Sequence, residues 1–366
     1  MAAKYRIGVI GRTGRGGYGH GLSTVWKDIP NTTVVAVADE DPKGRAETAK
    51  KIGAPRAYAN YHEMLEKEKP QIVSVCPRWL DCHLNMVLAC ASHGCHMYLE
   101  KPMCRTLEEA DQMIEACGDL KVSIAHQTRY SPRVEQAQRL IRDGKLGDIL
   151  EIRGRGKEDR RGGGEDLMVL GTHIMDLMRA LCGEPLSCFG RVFDKGKLVT
   201  KQEVRDGNEG IGPLAGDEIH ALYQFMSPAF ATFATHLAEH GRGSRFGLHI
   251  YGTKGVLTLR TGSLPPIHFL PDSSWSPGRS GEKWIEVTSA GLGKPETMQG
   301  RSGAHFGNVL AMTDLIECIE TGREPKGSLR DGRAALEMIL AIYASHRAGA
   351  AVNIPLQERR HPLSLL

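Results

Sequence analysis

Three groups of residues in this sequence have the types and spacing for chemistry. The first is Glu100-Lys101-Pro102, which closes the apolar run from Gly94 to Leu99. A strand ending in a carboxylate, an ammonium and a proline sets a fixed positive charge at the carboxyl edge of a sheet, where open α/β folds bind ligands. The second is the glycine-rich stretch from Gly11 to Gly19, with a G-x-G-x-x-G between Gly14 and Gly19, just after an apolar run that ends at Ile10. Glycines there permit a tight turn and let the backbone approach a pyrophosphate closely. The match begins three residues beyond the strand end, so Gly11 and Gly14 both stand as its first glycine, and Gly11, Arg12, Thr13, Gly14, Gly16 and Gly17 are the candidate contacts. Asp39 lies 20 residues beyond Gly19, where a carboxylate bonds the adenosine ribose hydroxyls and repels a 2′-phosphate. NAD is therefore favoured over NADP; Glu40 adds to that preference, and Arg12 and Arg15 oppose it. The third group is Asp166, His173 and Asp176. On a helix spanning Leu167 to Leu181 their spacing forms one polar stripe among Leu167, Met168, Leu170, Ile174, Leu177 and Leu181, and histidine is the natural base near neutral pH.

The elements that must position these groups follow from periodicity. A strand over residues 5–10, a helix-like segment from Leu22 to Asp28 and a strand from Thr33 to Ala38 make a βαβ opening. Helices near Pro42 to Ile52 and Tyr61 to Lys67, a strand from Ile72 to Cys76, a helix near Cys82 to Ser92 and the strand ending at Glu100 continue it. Helix 107–117 and strand 121–125 complete a doubly wound parallel sheet over residues 1–125. Over residues 126–366 strands predominate: Asp148 to Gly154, Ser187 to Phe193, His220 to Phe225, Phe230 to His236, Arg245 to Tyr251 and Val256 to Arg260. Joined by turns, they predict a mainly antiparallel sheet in an α+β domain, with helices at Leu167 to Leu181, Phe306 to Glu320 and Arg330 to Arg347. The Pro/Gly/Ser-rich residues 262–281 read as a surface loop.

Bulk properties narrow the partners. A chain of 366 residues, 41% hydrophobic, exceeds one ordinary core, and a formal charge of +4 spread among acids points to neither nucleic acid nor membrane. The partner expected is a small molecule. The amino terminus lacks the apolar stretch of a signal peptide and no segment reaches transmembrane length, so a cytoplasmic protein is expected. Nine cysteines without an export signal read as free thiols. Cys82, His83, Cys90, His93, Cys95 and His96 are dense but lack the paired C-x-x-C spacing of zinc modules, so no metal is assigned.

Taken in order, these motifs resemble the glucose-fructose oxidoreductase / inositol dehydrogenase / rhizopine-catabolism (Gfo/Idh/MocA) family over nearly the whole chain. The resemblance rests on the glycine loop and Asp39, on Cys76-Pro77 followed by His83, and on Glu100-Lys101-Pro102 followed by Glu108-Glu109-Ala110. It extends to Thr128-Arg129-Tyr130-Ser131-Pro132, to Gly171-Thr172-His173 with Asp176, and to Gly322 and Pro325 leading to Asp331-Gly332 and Glu337. It implies a Rossmann domain followed by an open-faced sheet often used for oligomerisation, hence a homo-oligomer (dimer, tetramer or higher), with the active site in the cleft between the domains. It also implies that Lys101 lies near the nicotinamide and the reacting hydroxyl, that His173 moves the hydroxyl proton, and that Cys76, Pro77, His83 and Glu100 belong to the cofactor site. Gln127, following a strand end, is a further residue expected to face the nicotinamide. Sugars, sugar derivatives or cyclitols are the substrates implied.

Alcohol oxidation needs a hydride acceptor and a group that takes the hydroxyl proton. A lysine held close to a cationic nicotinamide has its pKa lowered by charge repulsion and burial, which suits it to stabilise an alkoxide. General-base catalysis by His173 is worth about 10² to 10⁴ in rate. The chain departs from its relatives at Val169, where many carry an aspartate four residues before the histidine. Glu165 and Asp166, after Gly162-Gly163-Gly164, are the candidates to replace that acid, and Asp176, Arg129, Tyr130 and Arg160 join them as candidate substrate contacts, with Arg161 weighed beside Arg160. The first reading is an NAD-dependent dehydrogenase of a secondary ring hydroxyl of a sugar, glycoside or cyclitol, with C3 one candidate position, giving a 3-keto product. The alternative is a glycosidase that uses held NAD for transient ring oxidation and elimination. A non-catalytic sensor of sugar or dinucleotide is the third reading, which retention of both Lys101 and His173 disfavours.

Overall fold

The computed structural model describes residues 5–227, 229–238 and 245–366, and the first four residues, at which the amino-terminal reading begins, lie outside that set. The chain forms two compact units. One takes in the chain up to Gln127 with Asn208–Gly212 and Gly303–Arg333; the other comprises Thr128–Gly207, Pro213–Ser302 and Ala334–Leu366. A boundary at residue 125 places those two later segments in the second domain. The helix Gly303–Thr321 packs instead on Val25–Asp28 and Val122–Ile124, burying Ala311, Met312, Leu315 and Cys318.

The first unit is built on six parallel strands: β1 (Tyr5–Ile10), β2 (Thr32–Ala38), β3 (Arg56–Tyr58), β4 (Ile72–Val75), β5 (His96–Leu99) and β6 (Val122–Ile124), in the order β3-β2-β1-β4-β5-β6. Ile7, Val9, Val37, Ile72, Val73, Val75, Met97 and Leu99 are fully buried, as expected of a parallel sheet covered on both faces. Its helices are α1 (Pro42–Ile52), α2 (Tyr61–Glu68), α3 (His83–Ser92) and α4 (Leu107–Cys117). Local sequence sets their ends. Asp41 caps α1 by accepting from the Gly44 amide at 2.6 Å with Pro42 in the first turn, and Gly53 closes it in the left-handed region.

One predicted element does not form. Between β1 and β2 there is no α-helix; the segment Leu22 to Asp28 contributes only a 3-10 turn, Val25–Asp28. Gly14, Gly16, Gly17, Gly19 and Gly21 all have φ between 56° and 88°, a region a right-handed helix cannot use. Leu22, Val25 and Trp26 cover the sheet in place of a helix. The Trp26 indole donates to Ser74 Oγ at 2.8 Å, and that hydroxyl donates to the Leu22 carbonyl at 3.1 Å, satisfying a group a helix would have bonded internally.

The second unit carries an eleven-stranded sheet. From one edge its strands are Gly291–Leu292, Ile285–Thr288, Ile267–Leu270, Gly255–Arg260, Gly247–Gly252, Ile149–Arg155, Phe230–His236, Glu218–Phe225, Pro185–Asp194 and Val352–Asn353, and Lys197–Leu198 also pairs with Pro185–Asp194. The pairs are antiparallel except Ile149–Arg155 with Phe230–His236, which is parallel. Strict alternation sets its faces: Ile219, Ala221, Tyr223 and Phe225 are buried, while Leu222 with Phe189 and Phe230 of neighbouring strands is exposed, so one face is open. The residues expected to form a surface loop at 262–281 include the strand Ile267–Leu270 and a short helical turn, Pro277–Ser280.

The helices of this unit correct a second expectation. A helix α5 (Pro132–Arg142), unmarked by the periodicity, precedes the sheet, and the single helix expected over Leu167 to Leu181 is two, α6 (Gly164–Val169) and α7 (Gly171–Cys182). The break falls at Leu170, whose φ of −117° and ψ of −33° interrupt the helical course. Asp166 and His173 therefore stand on different helices and share no continuous stripe. Among the described residues, no helix is long and apolar enough to cross a membrane, and no three His, Cys, Asp or Glu are grouped to hold a metal ion.

Candidate active site

The glycine loop of the first unit closes on itself. The Arg12 amide donates to the Gly17 carbonyl at 3.1 Å and the Gly17 amide to that of Arg12 at 2.9 Å. A Cβ on Gly11 would stand 2.1 Å from the Tyr18 ring, one on Gly16 2.4 Å from the Arg78 backbone nitrogen, and one on Gly19 2.4 Å from Glu100 Oε2. These three glycines are fixed by close approach. Gly14 and Gly17 face open space and are fixed by positive φ. Asp39 ends β2 nearly buried, and its carboxylate accepts from the Thr13 amide at 3.0 Å, the Thr13 hydroxyl at 2.7 Å and the Asp41 amide at 3.0 Å. Arg12 and Arg15 turn to another acid, Asp81, at 3.7 and 3.6 Å. A shallow pocket beside Asp39 is lined by Gly11, Arg12, Glu40, Tyr61 and Met86.

At the end of β5, Glu100 is fully buried and tied to the loop. It accepts from the His20 amide at 3.1 Å, from His20 Nδ1 at 3.0 Å and from the Lys101 amide at 3.2 Å. Burial pushes its pKa up, but the hydrogen bond and charge of His20, the charge of Lys101 and the His20 amide outweigh burial and hold the carboxyl below its usual range. Lys101 itself is only 5% exposed, and the Lys101–Pro102 peptide is cis. In the same unit, the Gln127 side chain donates to Asn308 Oδ1 at 3.0 Å, where Tyr98 also donates at 2.7 Å, and Asn308 Nδ2 donates to the His20 carbonyl at 3.0 Å. Cys76 is buried, which raises its thiol pKa well above the usual value, and its amide bonds the Ile10 carbonyl at 3.0 Å. His83 is fully buried with its ring nitrogens 2.7 Å from the Pro77 carbonyl and 3.0 Å from that of Met103. Its ring is thus committed to joining two backbone segments.

In the second unit His173 lies in the first turn of α7, half-buried, its ring edge-on to Phe246 at a centroid distance of 6.2 Å. Arg129 Nη1 and Asp176 Oδ1 pair at 2.7 Å, both largely shielded from solvent, and Tyr130 is buried beside Arg129 in sequence. Asp166 is fully buried and accepts from the Lys157 amide at 3.3 Å, the Glu158 amide at 3.1 Å and the Thr235 hydroxyl at 2.5 Å. Burial raises its pKa although these three bonds oppose the rise. A carboxylate so bonded anchors the loop to the sheet. Glu165 is half-buried, Arg160 is exposed, and Arg161 pairs with Asp159 at 2.7 Å. Val169 is buried in α6, so no carboxylate stands one turn before His173.

Comparison with known proteins settles the class. The family model described as an oxidoreductase family with an NAD-binding Rossmann fold matches residues 5–127, and that of the same family's C-terminal alpha/beta domain matches residues 138–354. The chain belongs to the Gfo/Idh/MocA oxidoreductases. It is 27% identical to levoglucosan dehydrogenase of Pseudarthrobacter phenanthrenivorans, over 87% of this chain and 89% of that one. It is 24% identical to the NAD(+)-dependent scyllo-inositol 2-dehydrogenase of Bacillus subtilis, over 98% of each. A solved levoglucosan dehydrogenase in complex with NADH superposes with a TM-score of 0.77 at 22% identity, covering 96% of this chain and 99% of that chain, which shows the shared fold.

The residues of this oxidoreductase fit the NAD its family binds. The two glycines with open space above them and the carboxylate at the end of β2, with the small pocket beside it, are the residues that could hold an adenosine diphosphate moiety. Sequence reasoning did not find His20, Tyr18, Arg78, Asp81 or Asn308. For Asn308 a signal exists, an amide inside the apolar helix Gly303–Thr321; the others are ordinary loop residues whose roles come from long-range packing.

Proposed function

We propose that the chain is an NAD-dependent dehydrogenase that oxidises a secondary ring hydroxyl of a sugar, glycoside or cyclitol, with Lys101 and His173 as its catalytic residues. The observation that carries this reading is Lys101: a nearly buried ammonium at the carboxyl edge of β5, its backbone fixed by an ionised Glu100, in an NAD-binding domain. An ammonium sheltered from water stabilises a developing alkoxide far better than one in solvent. His173 takes the hydroxyl proton, with Phe246 limiting the ring's orientation. Bound NAD supplies the hydride acceptor. Arg129, paired with Asp176, and Tyr130 shape the site from within, while Glu165 and Arg160 are the candidates to meet substrate directly. The relatives' substrates, levoglucosan and inositols among them, support a polyhydroxylated ring, and C3 is one candidate position. The open sheet face with Phe189, Leu222 and Phe230 exposed supports a homo-oligomer.

The test is to incubate the purified chain and NAD with levoglucosan, inositols, free sugars and aryl glycosides, following nicotinamide absorbance and product mass. Loss of two hydrogens from a ring alcohol with stoichiometric NADH is the expected result. Aglycone release without net NADH would establish glycoside cleavage instead. Lys101→Met and His173→Asn should each lower kcat at least about 100-fold while NAD still binds; full turnover in either variant would remove that residue from the mechanism.

A further inference from the structure

A Rossmann domain ordinarily meets the charge of a dinucleotide's phosphates with the amino terminus of the helix that follows the first strand. This chain has no such helix, since five glycines with positive φ occupy its place and the first helical residues are the four of a 3-10 turn starting at Val25. We infer that Arg15 and Arg78 supply the missing positive charge, so that the pyrophosphate of NAD is held by two guanidinium groups instead of a helix end. The inference rests on NAD binding by the first domain and is independent of the substrate's identity.

Three observations support it. Arg15 sits within the loop, between Gly14 and Gly16, and Arg78 borders it, because the Arg78 backbone nitrogen is the atom that a Cβ on Gly16 would strike at 2.4 Å. Both side chains are about half exposed and accessible to a ligand. Each has only a loose acidic partner: Arg15 stands 3.6 Å from Asp81 and Arg78 3.5 Å from Glu209, beyond good hydrogen-bond length. Arg78 Nε is in addition buried with no hydrogen-bond partner among the described residues. The guanidiniums are also held near the loop before any ligand arrives. Arg15 stacks over the Trp79 ring at 5.3 Å, and Glu209 belongs to the segment Asn208–Gly212, which joins this unit from far along the sequence and packs on the turn Leu80–Cys82. A bidentate guanidinium is the side chain best matched to phosphate oxygens, and weak carboxylate partners release it at little cost.

The experiment is a set of binding titrations, by calorimetry, of NAD, ADP-ribose, ADP and adenosine to the full chain and to Arg15→Ala, Arg78→Ala, Arg78→Lys, Asp81→Asn and Glu209→Gln. Each alanine variant should weaken NAD, ADP-ribose and ADP by about tenfold, the worth of one charge-assisted bond, and leave adenosine unchanged. Arg78→Lys should recover part of the loss, and Asp81→Asn and Glu209→Gln, which unload the arginines, should tighten the phosphate-bearing ligands. The dependence of NAD affinity on salt should flatten in the alanine variants. NAD affinity unchanged in both alanine variants would overturn the inference, as would a loss of equal size for adenosine, the mark of a distorted loop. The NAD affinity of the parent chain reports separately on the cofactor assignment.

Discussion

Glu100→Gln is the substitution whose consequence the structure defines most fully. The carboxylate accepts three hydrogen bonds in a fully buried setting, two from His20 and one from the Lys101 amide, and so binds the glycine loop to the end of β5. Glutamine is the same size, but one of its two ends is an NH2 that can only face these donors. One charge-assisted bond worth about 1.5–3 kcal/mol is lost and a buried donor is left unsatisfied at about 1–3 kcal/mol, two costs that overlap, for a net of roughly 2–4 kcal/mol. A domain of this size responds by roughly 5–10 °C in melting temperature. The pH dependence has a definite sign. The folded-state pKa of Glu100 lies below its ordinary value of 4.5, so its stabilisation is present above that pH and is lost as the pH falls through the folded pKa. Thermal melts of parent and variant from neutral pH into acid should thus show a gap that is constant near neutrality and closes only below about pH 4.5. A variant melting within about 1 °C of the parent at neutral pH, or a gap that persists undiminished in strong acid, would refute the reasoning.

Other expected outcomes follow from the same geometry. Arg129→Ala leaves the buried Asp176 carboxylate without its guanidinium partner and should destabilise the second unit by about 3–5 kcal/mol in urea unfolding. Gly11→Ala sets a Cβ against the Tyr18 ring and should cost about 1–3 kcal/mol; the double variant with Tyr18→Ala should recover part of that loss, a coupling read by a double-mutant cycle. Asp39→Asn removes the charge at the end of β2 and should raise the ratio of kcat/KM for NADP over that for NAD, measured with one substrate. Asp166→Asn, which loosens the Lys157–Glu158 turn, should raise KM more than it lowers kcat, and Glu165→Gln should lower kcat, if Glu165 supplies the acid absent at Val169.

Where helix and strand boundaries were legible, one local signal set them. Asp41-Pro42 and Gly53 bracket α1 at its predicted ends, and Thr106, which accepts from the Glu109 amide, does the same for the start of α4. The structure departs from the sequence reading in two helical segments. From Leu22 to Asp28 the apolar spacing is helical, but the glycines before it permit positive φ and adopt it, so the loop runs on to Gly21 and leaves only the 3-10 turn Val25–Asp28. From Leu167 to Leu181 the apolar positions continue without pause through Leu170, so periodicity gives no sign that the chain breaks there; Asp166, in the helix before the break, is turned inward to Thr235 on a strand 69 residues away.

That inward turn also explains why the missing acid was hard to place from sequence. Glu165 and Asp166 are adjacent, equally acidic and equally close to the Gly162-Gly163-Gly164 run, so spacing alone cannot rank them. Burial separates them: Asp166 is fully buried with two amides and a hydroxyl on its oxygens, and Glu165 is half-buried at the start of α6. Asp176, the other acid near His173 in sequence, is engaged by Arg129. With Val169 apolar and Asp166 and Asp176 bonded within the second unit, the proton we propose for His173 is either passed on by Glu165 or released from the histidine directly. The two routes differ in their pH profiles, because a carboxylate relay adds an acid limb to kcat that Glu165→Gln removes, and a histidine acting alone leaves the profile of that variant unchanged.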